Sequence, residues 1–301
     1  MLPFARVTII GMGLIGSSLA RAIRAAMPTV AITAHDADAR VRVRVTELGL
    51  ADDVADTPGA AVIDADLVVL AVPVGAMAAV AADMAADLPA EAVVSDVGSV
   101  KASVLAVLQA ALPGATIIPA HPVAGTEKSG PDAGFASLFT GRWCIITPPP
   151  GAPPLAVARL ADFWTKLGAK VEQMDAAHHD RVLAVTSHLP HLIAYSIVGT
   201  ASDLEAVTSA EVIKFSAGGF RDFTRIAASD PVMWRDVFLN NKDAVLELLG
   251  RFTEDLVALQ RAIRWDEGDT LEALFTRTRA IRRSIIDEGQ DTDSADFGRP
   301  H

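Results

Sequence analysis

Short apolar runs alternate with longer Ala- and Leu-rich segments along the first half of the chain. The runs are apolar on both sides of the chain, which is typical of strands buried on both faces of a parallel sheet. Segments such as Leu14–Ala26 and Val100–Ala111 have helical composition. The alternation predicts a doubly wound α/β sheet, with a further helix and a strand near Val171. The predicted strands are Val7–Ile10, Val30–Thr33, Leu67–Ala71, Ala92–Ser95, Thr116–Pro119 and Cys144–Thr147.

After about Asp175 the strand signals nearly vanish and apolar residues recur at helical spacing. One helix is predicted from about Ala176 to Gly199, and another begins at Pro231, because proline suits the first helical turn. Two apolar stripes at steps of three and four, with a turn at Gly268 between them, are typical either of an intrachain core or of a dimer seam. The stripes are Val245, Leu249, Phe252, Leu256, Leu259, Ile263, and then Leu271, Leu274, Thr278, Ile281, Ile285.

Composition places the chain among globular proteins, since 301 residues suffice for about two domains and 51% of them are hydrophobic. The formal net charge of −11 disfavours nucleic-acid binding, although a few arginines can still bind a small anion. The single cysteine, Cys144, excludes an intrachain disulfide and a cysteine-rich metal site. We see no secretory leader, and the uncharged run Leu67–Ala82 is too short to span a membrane. These features favour a cytoplasmic enzyme or binding protein.

The segment VTIIGMGLIG places Gly11, Gly13 and Gly16 in a G-x-G-x-x-G pattern between a predicted strand and a predicted helix. The first glycine permits a tight turn, the second lets a pyrophosphate approach the backbone, and the third lets helix and strand pack closely. The unpaired N–H groups of the first helical turn, around Leu14 and Ile15, would face the phosphates. This context predicts a dinucleotide site.

Asp36 follows the third glycine by 20 residues, at the end of the second predicted strand. Its carboxylate can accept hydrogen bonds from ribose hydroxyls and would repel a 2′-phosphate, so NAD is favoured over NADP. Arg40 keeps NADP open, FAD is a further alternative, and Asp36 could instead be a turn residue. Val72 and Pro73 follow the strand Leu67–Ala71 at the carboxyl edge of the sheet, where ligands bind in such folds. Pro73 could equally be a simple strand stop.

These signals together predict an N-terminal doubly wound Rossmann-type domain over residues 1–175. An all-helical C-terminal domain follows over residues 176–289, and it carries further candidate substrate-binding residues as well as the two apolar stripes. The polar segment 290–301 is predicted to be a disordered tail.

His121 follows the predicted strand Thr116–Pro119, which places it at the ligand-binding edge of the sheet. A histidine is well matched to accept the proton that an alcohol loses when it gives up a hydride. Ser99 follows another strand end and could hydrogen-bond this base or the substrate hydroxyl. Lys101, two residues further on, could be part of the site or a solvated residue of the first helical turn.

His188, His191 and Tyr195 lie on one face of the predicted helix, which Pro190 would kink. The two histidines could line a substrate pocket, ligate a metal or belong to the core; we expect no metal, because no third ligand is evident. Arg221 and Arg225 would share a helix face, and arginine is suited to bidentate recognition of a carboxylate. A solvated basic face is the alternative, and Trp234 could pack near the pocket or in the core.

The segments GMGLIGSSLA, SDVGSVK, HPVAGTEKSG, SHLPH and GGFRDFTRIAASDPVMWRDVF together resemble the prephenate/arogenate dehydrogenase family of tyrosine biosynthesis, in the family's order, over about residues 5–285. The resemblance implies NAD-dependent oxidative decarboxylation of prephenate, arogenate or both, giving 4-hydroxyphenylpyruvate or tyrosine. It also implies a homodimer formed through the helical domain. Its motifs assign deprotonation of the substrate hydroxyl to His121, assistance to Ser99 and carboxylate binding to Arg225. Further pocket positions would be Thr126, Glu127, His179, His188, His191, Arg221 and Trp234.

Two other classes stay open on the residues alone. A 3-hydroxyacid dehydrogenase or an imine reductase shares this two-domain architecture but would use a lysine of the helical half, where Lys214 and Lys242 are the candidates. A non-enzymatic NAD sensor would explain Gly11–Gly16 and Asp36, but not the convergence of His121, Ser99 and Arg225.

Overall fold

The computed structural model describes residues 2–126, 128–208, 214 and 218–287. The chain divides into two compact units, one covering Met1–Val245 and one beginning at Leu246. The predicted domain boundary near residue 175 marks the change from α/β to all-helical sequence and not a division into compact units, and it stays a prediction. The predicted tail 290–301 lies outside the described residues.

The first unit contains a parallel six-stranded sheet in the order β3-β2-β1-β4-β5-β6, and this confirms the doubly wound architecture. Along β4, Leu67 and Val69 enter one hydrophobic cluster while Val68 and Leu70 enter another, so both faces of the sheet are buried. This is why the strand sequences do not alternate. The strands are β1 Arg6–Ile10, β2 Ala31–His35, β3 Asp53–Val54, β4 Leu67–Leu70, β5 Val93–Asp96 and β6 Thr116–Ile117. The helices between them are α1 Leu14–Ala26, α2 Ala39–Glu47, α3 Pro58–Val62, α4 Met77–Met84 and α5 Ala102–Ala111.

A second, three-stranded sheet corrects two predicted strands. The chain leaves the main sheet after β6, because Pro119 has no N–H to donate to a ladder, and its carbonyl instead accepts from the N–H of Thr147 at 2.9 Å. His121 therefore lies within a strand of this second sheet, not beyond the end of a main-sheet strand. The sheet consists of β7 Ala120–Pro122, antiparallel to β8 Trp143–Ile146, which is parallel to β9 Lys170–Gln173; α6 Pro154–Lys166 connects the last two.

The predicted helix starting at Ala176 is confirmed, with a local widening. It comprises α7 Ala176–Leu183, a π-helical turn Ala184–His188 and α8 Leu189–Thr208. The N–H of Leu189 bonds to the carbonyl of Ala184, five residues back. Pro190 explains the widening, because its ring cannot fit against the preceding turn of a regular α-helix.

The stretch Ala176–Asp203, and not the uncharged run Leu67–Ala82, is long and apolar enough to cross a membrane by length and composition. A core helix can pass the same test. Here the stretch carries His179, Asp180 and His188 on a buried face, each with a polar partner from the protein. We therefore interpret it as a helix of the first unit.

The helices that follow are α9 Gly218–Thr224, a 3₁₀ turn Arg225–Ala228, α10 Pro231–Asn240, α11 Lys242–Arg264 and α12 Gly268–Asp287. The side chain of Asp230 caps α10 by accepting from the N–H of Met233 at 2.8 Å, and Pro231 occupies the first turn as predicted. The turn between the last two helices falls before Gly268 and contains Asp266 with a φ of 53°. Of the apolar stripes, Leu256, Ile263 and Ile281 are 48%, 65% and 58% exposed, so the single chain leaves them uncovered.

Candidate active site

The glycine turn between β1 and α1 has the geometry that a pyrophosphate needs. Gly11 adopts a φ of +98°, and a Cβ there would lie 2.5 Å from the carbonyl oxygen of Ala71. A Cβ on Gly16 would collide with the carbonyl of Gly11, so the helix and the turn pack as the motif requires. A Cβ on Gly13, in contrast, would meet nothing within 4 Å. The backbone of Gly13 is therefore open to a ligand at the N-terminus of α1, where Leu14 and Ile15 form the first turn.

Asp36 lies at the mouth of this turn, directly after β2. Its carboxylate accepts from the N–H of Met12 at 2.8 Å and from the N–H of Asp38 at 3.0 Å, and these bonds fix its orientation. The guanidinium of Arg40 is bound to the Asp38 carboxylate at 2.8 Å. An anchored carboxylate and an arginine that already has a partner fit a dinucleotide with a free 2′-hydroxyl. Pro73, at the end of the loop after β4, is exposed at the same edge of the sheet.

His121 in β7 and His179 in α7 form the centre of a buried histidine cluster. The Nδ1 atom of His121 lies 2.9 Å from Nε2 of His179, and Nδ1 of His179 lies 2.8 Å from Oδ1 of Asp180. Burial, with smaller contributions from His179, Lys101 and His188, holds the pKa of His121 well below its usual value. The ring is therefore neutral near pH 7 and available as a base.

Asp180 ties α7 to the start of α5. Its Oδ1 accepts from the N–H of Lys101 at 2.7 Å, and its Oδ2 accepts from the N–H of Ala102 at 2.9 Å. A carboxylate at a helix N-terminus satisfies donors that have no partner within the helix and interacts favourably with the helix dipole. Asp180 therefore fixes the position of His179 relative to the loop that carries Ser99.

Lys101 is fully buried, so its interpretation as a solvated residue of the first helical turn was wrong. Its ammonium group donates to the carboxylate of Asp96 at the end of β5 and, at 2.8 Å, to the carbonyl of Ala120. Burial lowers the pKa of Lys101 and raises that of Asp96, and the attraction between the two charges opposes both shifts. The pair links the main sheet to the strand that carries His121.

His188 lies in the π-helical turn and is also fully buried. Its Nδ1 is 3.0 Å from the side-chain amide nitrogen of Asn241, which also donates to the carbonyl of Asp180 at 2.8 Å. Since the amide donates, Nδ1 accepts and the proton of the neutral ring lies on Nε2. Burial, reinforced by His179, lowers the pKa of His188 to about 4.

His191 and Trp234 form a second, less buried group. Their rings stack with centroids 3.6 Å apart, and Nδ1 of His191 lies 2.9 Å from the carbonyl oxygen of Ser187. Burial lowers the pKa of His191, and the nearby positive charge of Arg225 lowers it further. Trp234 also approaches His188, with ring centroids 6.0 Å apart, so the two histidines of the SHLPH segment share one tryptophan.

Ser99 is half-buried, and its backbone lies beside His188 and opposes the lowering of that ring's pKa. Within the described ranges its hydroxyl makes no hydrogen bond to His121. Two other predicted site residues are not brought to this cluster. Thr126 is exposed and lines a separate cavity of about 310 Å³ together with Arg142. Arg221 is exposed in α9, which ends before Arg225, so the two arginines do not lie on one continuous α-helix. Glu127 lies outside the described residues.

Sequence reasoning missed Asp180, Asn241 and the buried role of Asp96. Asp180 stands beside His179 in the segment HHD, and a carboxylate next to a histidine was a usable signal. Asn241 gave no such signal, because it joins the cluster only through the packing of α10, which contacts the turn Val74–Ala76 and carries the buried Trp234.

A parallel dinucleotide-type fold, with a buried histidine cluster formed between β7 and the helix that follows it, is typical of an NAD-type dehydrogenase. Sequence models of the prephenate dehydrogenase nucleotide-binding domain and of its dimerization domain match residues 19–173 and 175–277, respectively. The chain belongs to the prephenate dehydrogenase family. The nucleotide-binding match begins after the glycine turn, which therefore adds independent support.

Relatives with known names agree with this assignment. The chain is 46% identical to a cyclohexadienyl dehydrogenase of Zymomonas mobilis, over 95% of this chain and 97% of that one. It is 33% identical to a prephenate dehydrogenase of Bacillus subtilis, over 93% and 76% of the two chains. A prephenate dehydrogenase of A. aeolicus, solved with hydroxyphenyl propionate and NAD⁺, superposes with a TM-score of 0.87, 31% identity and coverage of 95% and 98%. The predictions of a prephenate/arogenate dehydrogenase and of an NAD cofactor are confirmed. Lys242, a candidate of the hydroxyacid alternative, is exposed at the start of α11.

Proposed function

We propose that this chain oxidises both prephenate and arogenate, with His121 as the base that removes the proton of the ring hydroxyl. The observation that carries the proposal is the neutral, buried ring of His121, whose Nδ1 is already bonded to His179. Its Nε2 makes no hydrogen bond within the described residues and is the atom left for substrate. Loss of the ring carboxylate as CO₂ makes the ring aromatic, so alignment and one base suffice for the chain's part of the reaction.

Arg225, His191 and Trp234 are proposed to hold the substrate. Arg225 would bind a carboxylate, because a guanidinium forms paired hydrogen bonds with it. The proximity of Arg225 to the stacked pair His191–Trp234 supports a single pocket, and of the SHLPH histidines His191 would then face the substrate. Ser99 and Thr126 are proposed as further contacts that complete the pocket when substrate binds, and the exposed Arg221 would add a weaker, solvent-screened attraction. His188, which is fully buried, would support the pocket from behind His191 and Trp234.

NAD⁺ bound at the glycine turn supplies the hydride acceptor. Gly11, Gly13 and Gly16 would shape its pyrophosphate site with Leu14 and Ile15, and Asp36 would accept from the adenosine ribose. Val72 and Pro73 would border the cofactor at the end of β4.

The chain is proposed to act as a homodimer in the cytoplasm. The second unit leaves large apolar side chains exposed, among them Trp265 at 69% and Phe275 at 56%. Exposed apolar surface of this kind is typical of a subunit interface. The dimerization-domain match supports the same assignment, with the helical domain over residues 176–289 as the proposed dimer-forming part.

The test follows NAD⁺ reduction by the purified protein with prephenate and with arogenate in parallel, and repeats both with NADP⁺. We expect turnover with both substrates and faster turnover with NAD⁺. Turnover with one substrate alone would restrict the proposal to that substrate. Absence of reduction under all four conditions would overturn it.

A further inference from the structure

His121, the histidine that is proposed as the base, is hydrogen-bonded to a second histidine. Behind His121, on the side away from its free Nε2, His179 and Asp180 continue a line of hydrogen bonds of 2.9 and 2.8 Å. His179 is fully buried and Asp180 nearly so, so neither can be a wall of an open pocket. Their contact with His121 therefore needs an explanation other than substrate binding.

The donors in this line can be assigned from the carboxylate end. A carboxylate only accepts, so the proton on His179 lies on Nδ1 and points to Asp180. Burial lowers the pKa of His179, which keeps that ring neutral and leaves its Nε2 as an acceptor. Nδ1 of His121 must then donate to it. This arrangement places the lone pair of His121 on Nε2, where the substrate hydroxyl is expected.

We propose that His179 and Asp180 are positioning residues, which hold His121 in the tautomer with its proton on Nδ1 and stabilise the imidazolium formed when Nε2 accepts the substrate proton. The inference rests on the proposed function of His121 as the base. No net transfer to Asp180 is required: the substrate proton stays on Nε2, and the Nδ1 proton stays shared with His179.

The other titratable groups around His121 do not substitute for this line. Lys101 faces it from the start of α5, but its charge is paired with Asp96 and disfavours an imidazolium. His188 faces it from the π-helical turn with its Nδ1 bonded to Asn241. Among the described groups that act on His121, Asp180 is the carboxylate connected to it by hydrogen bonds, through the ring of His179.

Asp180 has a second role, so its substitution cannot isolate the positioning effect. It accepts from the backbone N–H groups of Lys101 and Ala102, and losing it would unsettle the start of α5. His179 makes no hydrogen bond to that helix within the described residues. His179→Leu removes the acceptor for His121, whereas His179→Gln retains an amide oxygen near the position of Nε2. His178, the exposed neighbour on the same helix, offers His178→Leu as the matched control.

The first measurement reads the tautomer without turnover. Imidazole ¹⁵N shifts separate a protonated ring nitrogen from a bare one, and comparison with His121→Gln assigns His121 among the seven histidines. We expect the proton on Nδ1 in the wild type, in His179→Gln and in His178→Leu. In His179→Leu we expect it to move largely to Nε2, because Nδ1 has lost its acceptor. A wild-type proton on Nε2 would overturn the proposal.

The second measurement is the kinetics of the same variants. We expect His179→Leu to lower kcat roughly 100-fold with KM for NAD⁺ unchanged, and His179→Gln to recover much of the loss. Wild-type kcat in a folded His179→Leu variant would also overturn the proposal; if that variant does not fold, the wild-type spectrum and His179→Gln decide. If the wild type turns over neither prephenate nor arogenate, the proposed function fails. The spectra would still test whether His179 fixes the tautomer of His121.

Discussion

The glycine turn and the histidine cluster lie in the same unit but are built in opposite ways. The turn comes from one continuous stretch, β1 to the end of β2, and its chemistry is that of the backbone: open N–H groups, a positive φ and a missing Cβ. The cluster draws its side chains from five separate segments, and its chemistry is that of imidazole, carboxylate and amide groups. Because of this difference, we expect substitutions in the glycine turn and in the histidine cluster to have different consequences for the protein. A side chain in the cluster has partners that lose hydrogen bonds when it changes, whereas Gly13 has no side chain to lose.

The largest effect is expected from His121→Gln, which removes the base but keeps a polar side chain of similar length. An amide accepts a hydrogen bond but cannot accept the proton at neutral pH, so kcat should fall by roughly 1,000-fold, within the range for general bases. Affinity for NAD⁺, measured by fluorescence titration, should stay within about twofold, because the glycine turn is untouched. His178→Gln serves as the control. Near-normal kcat in His121→Gln would mean that another group removes the proton.

The glycine turn is tested by Gly13→Glu. A Cβ at this position meets nothing in the protein, so the fold should be retained, while a carboxylate beside the pyrophosphate should repel it. We expect NAD⁺ affinity to fall by roughly 100-fold, about 2.7 kcal/mol, with little change in Tm. Gly199→Glu, in an open position on α8, controls for the added charge. Unchanged affinity would place the pyrophosphate elsewhere.

The same contrast explains how far the sequence could be interpreted. The glycine turn and Asp36 were predicted correctly in position, because a local motif determines a local geometry. His121 was placed beyond the end of a main-sheet strand, whereas it lies within β7 of the second sheet, since the break at Pro119 depends on a bond to Thr147 far along the chain. Lys101 could not be interpreted, because its burial depends on Asp96 and the Ala120 carbonyl coming together in three dimensions.

A smaller effect is expected at the substrate arginines. Arg225→Met should raise the substrate KM by roughly 10- to 100-fold, the value of a hydrogen bond to a charged group. Arg221→Met is the matched control, since Arg221 lies one turn earlier and its removal should raise KM by about threefold or less. Steady-state kinetics at saturating NAD⁺ separates the two. Equal effects would mean that Arg221 binds the substrate as strongly as Arg225 does.

The smallest expected effect is on the pH dependence of the free energy of unfolding, and it comes from His188 in the histidine cluster. His188 has a folded-state pKa of about 4 against 6.5 for an ordinary histidine. Between these values the unfolded chain binds a proton that the folded chain does not, so stability falls as pH drops from 6.5 towards 4 and is unaffected by this group above 6.5. One histidine contributes up to about 1.4 kcal/mol per pH unit within that window. Urea unfolding at pH 7, 6 and 5 should show a shallower decline in His188→Gln than in the wild type or in His178→Gln. Identical slopes in all three proteins would mean that folding does not lower the pKa of His188. That result would contradict a His188 ring that is neutral and bonded to the amide of Asn241.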